Sequence, residues 1–212
     1  MKIDIKDIKF WMDAIRNSED RSRTLESFWG GQLESKTWLI ENLEKRSRIA
    51  NAHITIYGGW NGVLASMIFN SGLGVNSITS IDIDPICEPI ASMMNKRQEM
   101  EGRFVAVTGD MANYTAMSDI VINTSCEHIT QDQYNQWMHN QPDDALFVLQ
   151  SNNYYECDEH INCSSSIDEF VKKSNLHPLW KGEKETQKYT RYMIIGKKHD
   201  SSNSNRQCKR SN

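Results

Sequence analysis

The stretch Ile54 to Pro85, ITIYGGWNGVLASMIFNSGLGVNSITSIDIDP, decides the fold. It opens on a β-rich run, Ile54-Thr55-Ile56-Tyr57, and breaks at Gly58-Gly59. An apolar helical run follows, with Val63, Leu64, Met67 and Ile68 on one face. A turn at Gly72 and Gly74 leads to a second strand, Ile78 to Ile83, with Asp82 and Asp84 at its carboxyl end. The order strand, glycine turn, helix, strand, acid is half of a nucleotide-binding α/β unit. Glycines at the end of the first strand let backbone N–H groups approach a ligand that a Cβ would exclude. The N-terminus of the following helix favours an anionic group at the same place. An acid roughly 20 residues beyond the turn is placed to accept hydrogen bonds from ribose hydroxyls.

These residues resemble the class I S-adenosylmethionine-dependent methyltransferases. The first motif of that family reads acid-x-Gly-x-Gly-x-Gly, and here Gly58 and Gly62 match its outer glycines. Trp60 stands at the middle glycine and Ile56 at the acid that meets the methionine amino group. Asp82 matches the ribose acid of the second motif, in the setting Ser-Ile-Asp-Ile-Asp-Pro. The resemblance implies a cofactor site built from Tyr57, Gly58, Gly59, Trp60, Gly62, Asp82, Ile83, Asp110, Met111 and Asn123, with S-adenosylmethionine as the cofactor. In this reading Asp110, in Thr108-Gly109-Asp110-Met111 after a third strand (Arg103 to Val107), accepts from the adenine amino group. Met111 then lies against the ring. A plain Gly-Asp turn capping the next segment is the competing reading.

The strand Asp119 to Asn123 is apolar after its opening acid, the pattern of a strand buried on both faces. It ends in Thr124-Ser125-Cys126-Glu127-His128, and ligands of open α/β sheets sit at such carboxyl ends. His128 is the candidate general base and Glu127 the candidate that orients the acceptor. Alternatively, both merely open the helix that runs through Tyr134, Trp137 and Met138. Cys126 reads as a core cysteine as readily as a reactive thiol. Asp144 to Gln150 forms a fifth strand, followed by the polar loop Ser151 to Glu156. Cys157, His160 and Cys163 have a C-x-x-H-x-x-C spacing, but no second Cys/His pair completes a zinc set, so no metal is assigned. Asp158, Glu159 and His160 read instead as substrate contacts on a loop over the cleft.

Upstream, residues 1–25 read as an amphipathic helix. The pair Gly30-Gly31 is expected to break the chain before a second helix running to about Arg48. This N-terminal segment (1–50) would cover the cleft, with Gln32, Ser35 and Lys36 either facing substrate or, for Lys36, simply solvated. Ile86 to Gln98 reads as a crossover helix and Ile167 to Asn175 as the last helix. Two closing strands follow, Leu176 to Gly182 and Thr186 to Lys197, with no helix between them. In the family the last strand is inserted antiparallel. The fold expected is thus a three-layer Rossmann-like α/β methyltransferase fold, one domain over 1–198, with a disordered tail at 199–212.

The 212 residues carry a net charge of −4 with 25% charged residues, so no global field calls for nucleic acid or an anionic membrane. Five scattered cysteines, no apolar signal core and no run of ~20 apolar residues point to a cytoplasmic protein. No Asn/Asp-Pro-Pro-aromatic tetrapeptide of amino-methylating DNA enzymes is present. A small-molecule or protein acceptor is therefore expected and RNA is left open. A non-catalytic adenosyl-ligand-binding protein and an aminopropyl-type transferase are the alternative functions; the oligomeric state is left undetermined.

Overall fold

The protein is described here by a computed structural model covering residues 3–46 and 50–199. In chain order the strands are β1 (His53–Tyr57), β2 (Ser77–Asp82), β3 (Phe104–Thr108), β4 (Ile120–Asn123), β5 (Leu146–Asn152), β6 (Leu176–Glu185) and β7 (Thr190–Lys198). The helices are α1 (Ile5–Asn17), α2 (Arg21–Glu26), α3 (Gly30–Arg46), α4 (Val63–Phe69), α5 (Cys87–Met94), α6 (Lys96–Met100), α7 (Gln131–Asn140) and α8 (Ile167–Ser174). The strands form one 7-stranded sheet in the order β3-β2-β1-β4-β5-β7-β6. β1 through β5 pair in parallel, and β7 runs antiparallel to both β5 and β6.

The period of two in the strands sorts side chains into two cores. Ile54 and Ile56 of β1, Ile120 and Ile122 of β4, Val148 of β5, and Met193 and Ile195 of β7 join one cluster with residues of α1, α3, α4 and α5. Their neighbours Tyr57, Val121, Phe147, Leu149, Tyr192 and Ile194 join the other, with Trp137 of α7 and Phe170 of α8. Helices therefore cover both faces, which makes three layers, and the last strand is antiparallel as expected.

The N-terminal helix is docked by polar contacts as well as packing. Asp7, 1% exposed, receives Nε and Nη2 of Arg97 at 2.8 Å each and Nδ2 of Asn70 at 2.8 Å. Burial pushes the Asp7 carboxyl up, but the hydrogen bonds from Arg97 and Asn70 outweigh it and leave it below the usual carboxylate value. The indole of Trp11 donates to Ser66 Oγ at 2.8 Å, tying α1 to α4.

Several boundaries differ from the sequence reading. Residues 1–25 hold two helices rather than one, with Asp20 accepting from the Arg23 backbone as the N-cap of α2. Gly30 and Gly31 form the first turn of α3 instead of a break. The crossover helix divides at Asn95, whose Nδ2 donates to Ala91 O and to Gly62 O, both at 3.0 Å. Strand β5 extends through Ser151 and Asn152, and the β6–β7 hairpin turns at residues 186–189, where Thr186 Oγ1 donates to Tyr189 O at 2.5 Å. The expected end of α3 near Arg48 and the tail beyond His199 lie outside the described residues.

Candidate active site

The carboxyl ends of β1, β2, β4 and β5 open into one cleft of about 960 Å³, at the point where the strand order reverses between β1 and β4. The turn after β1 forms its floor. Gly58, Trp60 and Gly62 have φ of 63°, 47° and 73°. All three glycine positions of the motif thus keep left-handed backbone, although Trp60 bears the steric cost of a side chain there. Gly59 is required for a different reason: a Cβ on it would lie 1.9 Å from Ser80 Oγ. A Cβ on Gly58 would lie 2.4 Å from Ser125 Oγ. The turn thus runs flush against β2 and the turn that follows β4. Beside it, the buried Nδ2 of Asn61 has no partner within the described protein.

Asp82 stands at the end of β2. Its Oδ2 accepts from Trp60 N at 2.8 Å and its Oδ1 from Asp84 N at 3.1 Å, so turn and acid are fixed to each other. Ile83 is 70% exposed and lines the cleft, as do Gly109, Asp110 and Met111. Asp110 also caps a short 3-10 turn through Ala112 N at 2.9 Å, so the capping role read from the sequence is realised. Three expected cofactor residues do not line the cleft. Tyr57 is buried below it, its hydroxyl donating to Tyr114 O at 2.9 Å and Gln141 Oε1 at 2.8 Å. The Asn123 amide is turned to Ser125 N and the Met111 sulfur. Gly62 packs on Asn95 and Ala91 of the crossover helices.

Across the cleft, Glu127 and His128 lie in a 3-10 turn, Cys126–His128, rather than in α7. Glu127 is 1% exposed. Its Oε1 accepts from Arg191 Nη1 and from Asn152 Nδ2, the latter at 2.6 Å, while Oε2 has no partner within the described protein. Arg191 also donates from Nη2 to Thr124 O at 2.5 Å. The His128 and His160 rings meet edge to face with centroids 4.7 Å apart. Though His128 is exposed at the cleft, desolvation by the protein around its ring lowers its pKa, with His160 and Arg191 adding to the effect and Glu127 opposing it, so the neutral imidazole is favoured. Cys126 is buried, and desolvation raises its thiol far above the usual value; it is a core residue.

Helices α2 and α3 close the cleft. Arg23 pairs with Asp84 at 2.6 Å. Gln32, Ser35 and Lys36 all line it. Ser35 Oγ donates to Gln150 Oε1 at 3.0 Å, and Lys36 Nζ donates to Gln32 Oε1 at 2.7 Å. Lys36 is half-exposed, yet the protein around its ammonium and the nearby Arg191 charge push its pKa down to about 7, with desolvation the larger cause. Lys36 therefore lines the cleft while its side chain stays partly exposed. Glu159, His160 and Cys157 join the lining, and Asp158 does not. Arg191 had no signal in the sequence beyond a charge beside the apolar run Tyr192 to Ile195.

No protein-family model and no curated protein sequence matches the chain. Solved structures do. Magnesium protoporphyrin IX methyltransferase (ChlM) from Synechocystis PCC 6803, with bound SAM, superposes with a TM-score of 0.63 at 14% identity, covering 91% of this chain and 91% of that one. The N-methyltransferase NodS from Bradyrhizobium japonicum WM9 gives 0.61 at 11% identity, covering 79% of this chain and 97% of that one. A point mutant of MtNAS in complex with S-adenosylmethionine gives 0.58 at 12% identity, over 91% and 72%. At such identities the likeness is one of fold. The chain has the three-layer, Rossmann-like methyltransferase fold that the sequence led us to expect.

Proposed function

We propose that this protein is an S-adenosylmethionine-dependent methyltransferase of the cytoplasm, acting on a small-molecule or protein acceptor. One observation carries the reading: the left-handed turn Gly58-Gly59-Trp60-Asn61-Gly62 is hydrogen-bonded to Asp82 in a cleft at the strand-order reversal. Solved structures of this fold that hold SAM support it.

The residues present fit the adenosyl end of such a ligand. Asp82 would accept from the ribose hydroxyls, Asp110 from the adenine amino group, and Ile83 and Met111 would pack on the ring. The buried Asn61 amide, unpartnered within the described protein, and the left-handed turn beside it offer polar backbone and a donor to the ligand. When bound, S-adenosylmethionine supplies an electrophilic sulfonium methyl. The chain's own work is then to orient the acceptor and exclude water. Neutral His128 is placed to take a proton from the acceptor, with Glu127 held beside it by Arg191 and Asn152.

A second reading, a protein that binds adenosyl ligands without transferring anything, is favoured by Ile56, which is apolar and 1% exposed where the family has its acid. Product analysis separates this from methyl transfer, and methylthioadenosine would mark an aminopropyl-type transferase. The first experiment is calorimetric titration with S-adenosylmethionine and S-adenosylhomocysteine, with NAD as control. Binding of the adenosyl pair alone is expected, weakened by ~1.5–3 kcal/mol in Asp82→Ala. No binding of either ligand overturns the assignment.

A further inference from the structure

Resting on that reading of the cleft, we propose that Glu127, His128 and His160 form a site for one divalent first-row transition ion, with open positions for an oxygen-bearing acceptor. One ligand atom from each of the three, a carboxylate oxygen and two ring nitrogens, lie within 4.8 Å of one another. Small side-chain rotations bring such a triangle onto a single ion about 2.0–2.2 Å from each donor. Two imidazoles and one carboxylate are the donor set of three-ligand sites that leave further positions free.

Three details of the surroundings suit ligation better than a chance meeting of polar groups. His160 Nδ1 lies 3.0 Å from the Tyr154 carbonyl oxygen. A proton on Nδ1 there leaves Nε2 with its lone pair available, the outer contact by which ligating histidines are oriented. Glu127 is held in the same manner, with Oε1 taken by Arg191 and Asn152. Its other oxygen, Oε2, is buried without a partner in the described protein, an arrangement that is costly unless a donor or a cation meets that oxygen. The side chains also come from two places, Glu127 and His128 from the turn after β4 and His160 from the loop after β5, and all line the cleft.

The Cys157, His160, Cys163 spacing does not describe this site. Cys163 is buried, with its sulfur directed to Asn152 Oδ1 and Tyr154 O, and only His160 of that motif joins the cluster. An ion here faces the acceptor side of the cleft, away from Asp82 and Asp110. It suits an acceptor that offers a hydroxyl or other oxygen ligand, since such an ion binds oxygen and lowers the pKa of what it binds. With the ion in place, His128 is a ligand and not a base.

The test is titration of the whole protein with Co2+ alone, followed by its visible spectrum, and with Zn2+ by calorimetry. One ion per chain is expected, without the intense near-ultraviolet bands of thiolate ligation. His128→Gln and His160→Ala should each weaken binding at least tenfold, whereas His139→Ala on α7 should not. His128 is exposed, so its variant keeps the fold if that of His160 does not. No bound ion, thiolate bands, or an affinity unchanged in His128→Gln overturns the site. No adenosyl ligand enters this titration. Failure here leaves the cofactor assignment standing, and failure of adenosyl binding leaves the bound ion but removes its role toward a methyl acceptor.

Discussion

Arg191 and Asn152 face each other across the β5–β7 pair, and both donate to the same oxygen of Glu127. An antiparallel register thereby holds a buried carboxylate in the wall of the cleft. Removing the arginine strands that charge. Arg191→Met should cost about 3–5 kcal/mol in urea unfolding, and Glu127→Gln added to it should recover most of the loss. A loss in the single variant below about 1 kcal/mol would show that the pair contributes as little as an exposed one.

Gly59 has no room for a side chain. Gly59→Ala puts its Cβ against Ser80 Oγ and should destabilise the protein by about 1–3 kcal/mol while weakening adenosyl binding. Removing the hydroxyl leaves Ser80 Cβ as the nearest atom of that side chain, at 3.2 Å, so Ser80→Ala should restore part of the stability. The measurement is a double-mutant cycle in thermal unfolding; strict additivity would refute the contact as the cause.

Lys36 should titrate near neutrality. Competitive labelling with an amine reagent should give it an apparent pKa of about 7, with ordinary lysines well above. Because the folded value lies below the unfolded one, the folded state binds fewer protons between the two. This group therefore adds stability as pH rises from about 7 towards its usual 10.5. Lys36→Met should flatten that part of the profile. An apparent pKa close to 10.5 would mean that the cleft does not desolvate it.

The Asp7 carboxyl titrates the other way. Its folded pKa is depressed, so its stabilisation is fully present above the unfolded value of about 3.8 and is lost as pH falls through the lower, folded one. Asp7→Asn should cost about 2–3 kcal/mol at neutral pH and remove this contribution to acid unfolding. An unchanged acid profile by circular dichroism would exclude the Asp7–Arg97 contact as its source.

Much of the architecture was legible because it is written in local periods. The strand around Ile54, the glycine break and the acid at Asp82 lie within one short segment, and alternating residues such as Ile120, Val121 and Ile122 mark burial on both faces. The helix break at Asn95 was not legible, since its amide answers to Gly62 far upstream in the chain. Gly30-Gly31 misled for a related reason: glycine weakens a helix interior but costs little in an open first turn. In the cleft, the residues next to a recognisable turn or strand end were found, while Arg191 was missed and the neighbourhood of Lys36 was not foreseen. Their surroundings are assembled from β4, β5, β7 and α3, and spacing along the chain carries no trace of that. Tyr57 and Asn123 erred the opposite way: each adjoins the cleft in sequence, but strand alternation or a local turn directs its side chain elsewhere.

The place of β7 sets an order of events during synthesis. The sheet cannot close until this strand, the last of those described, slots between β5 and β6. A nascent chain that has emerged only as far as β6 exposes the edge of β5 and holds Glu127 without its arginine. Until Arg191 leaves the ribosome, the half-built cleft is a strand edge open to unwanted pairing, and one late residue completes both the sheet and the wall of the site.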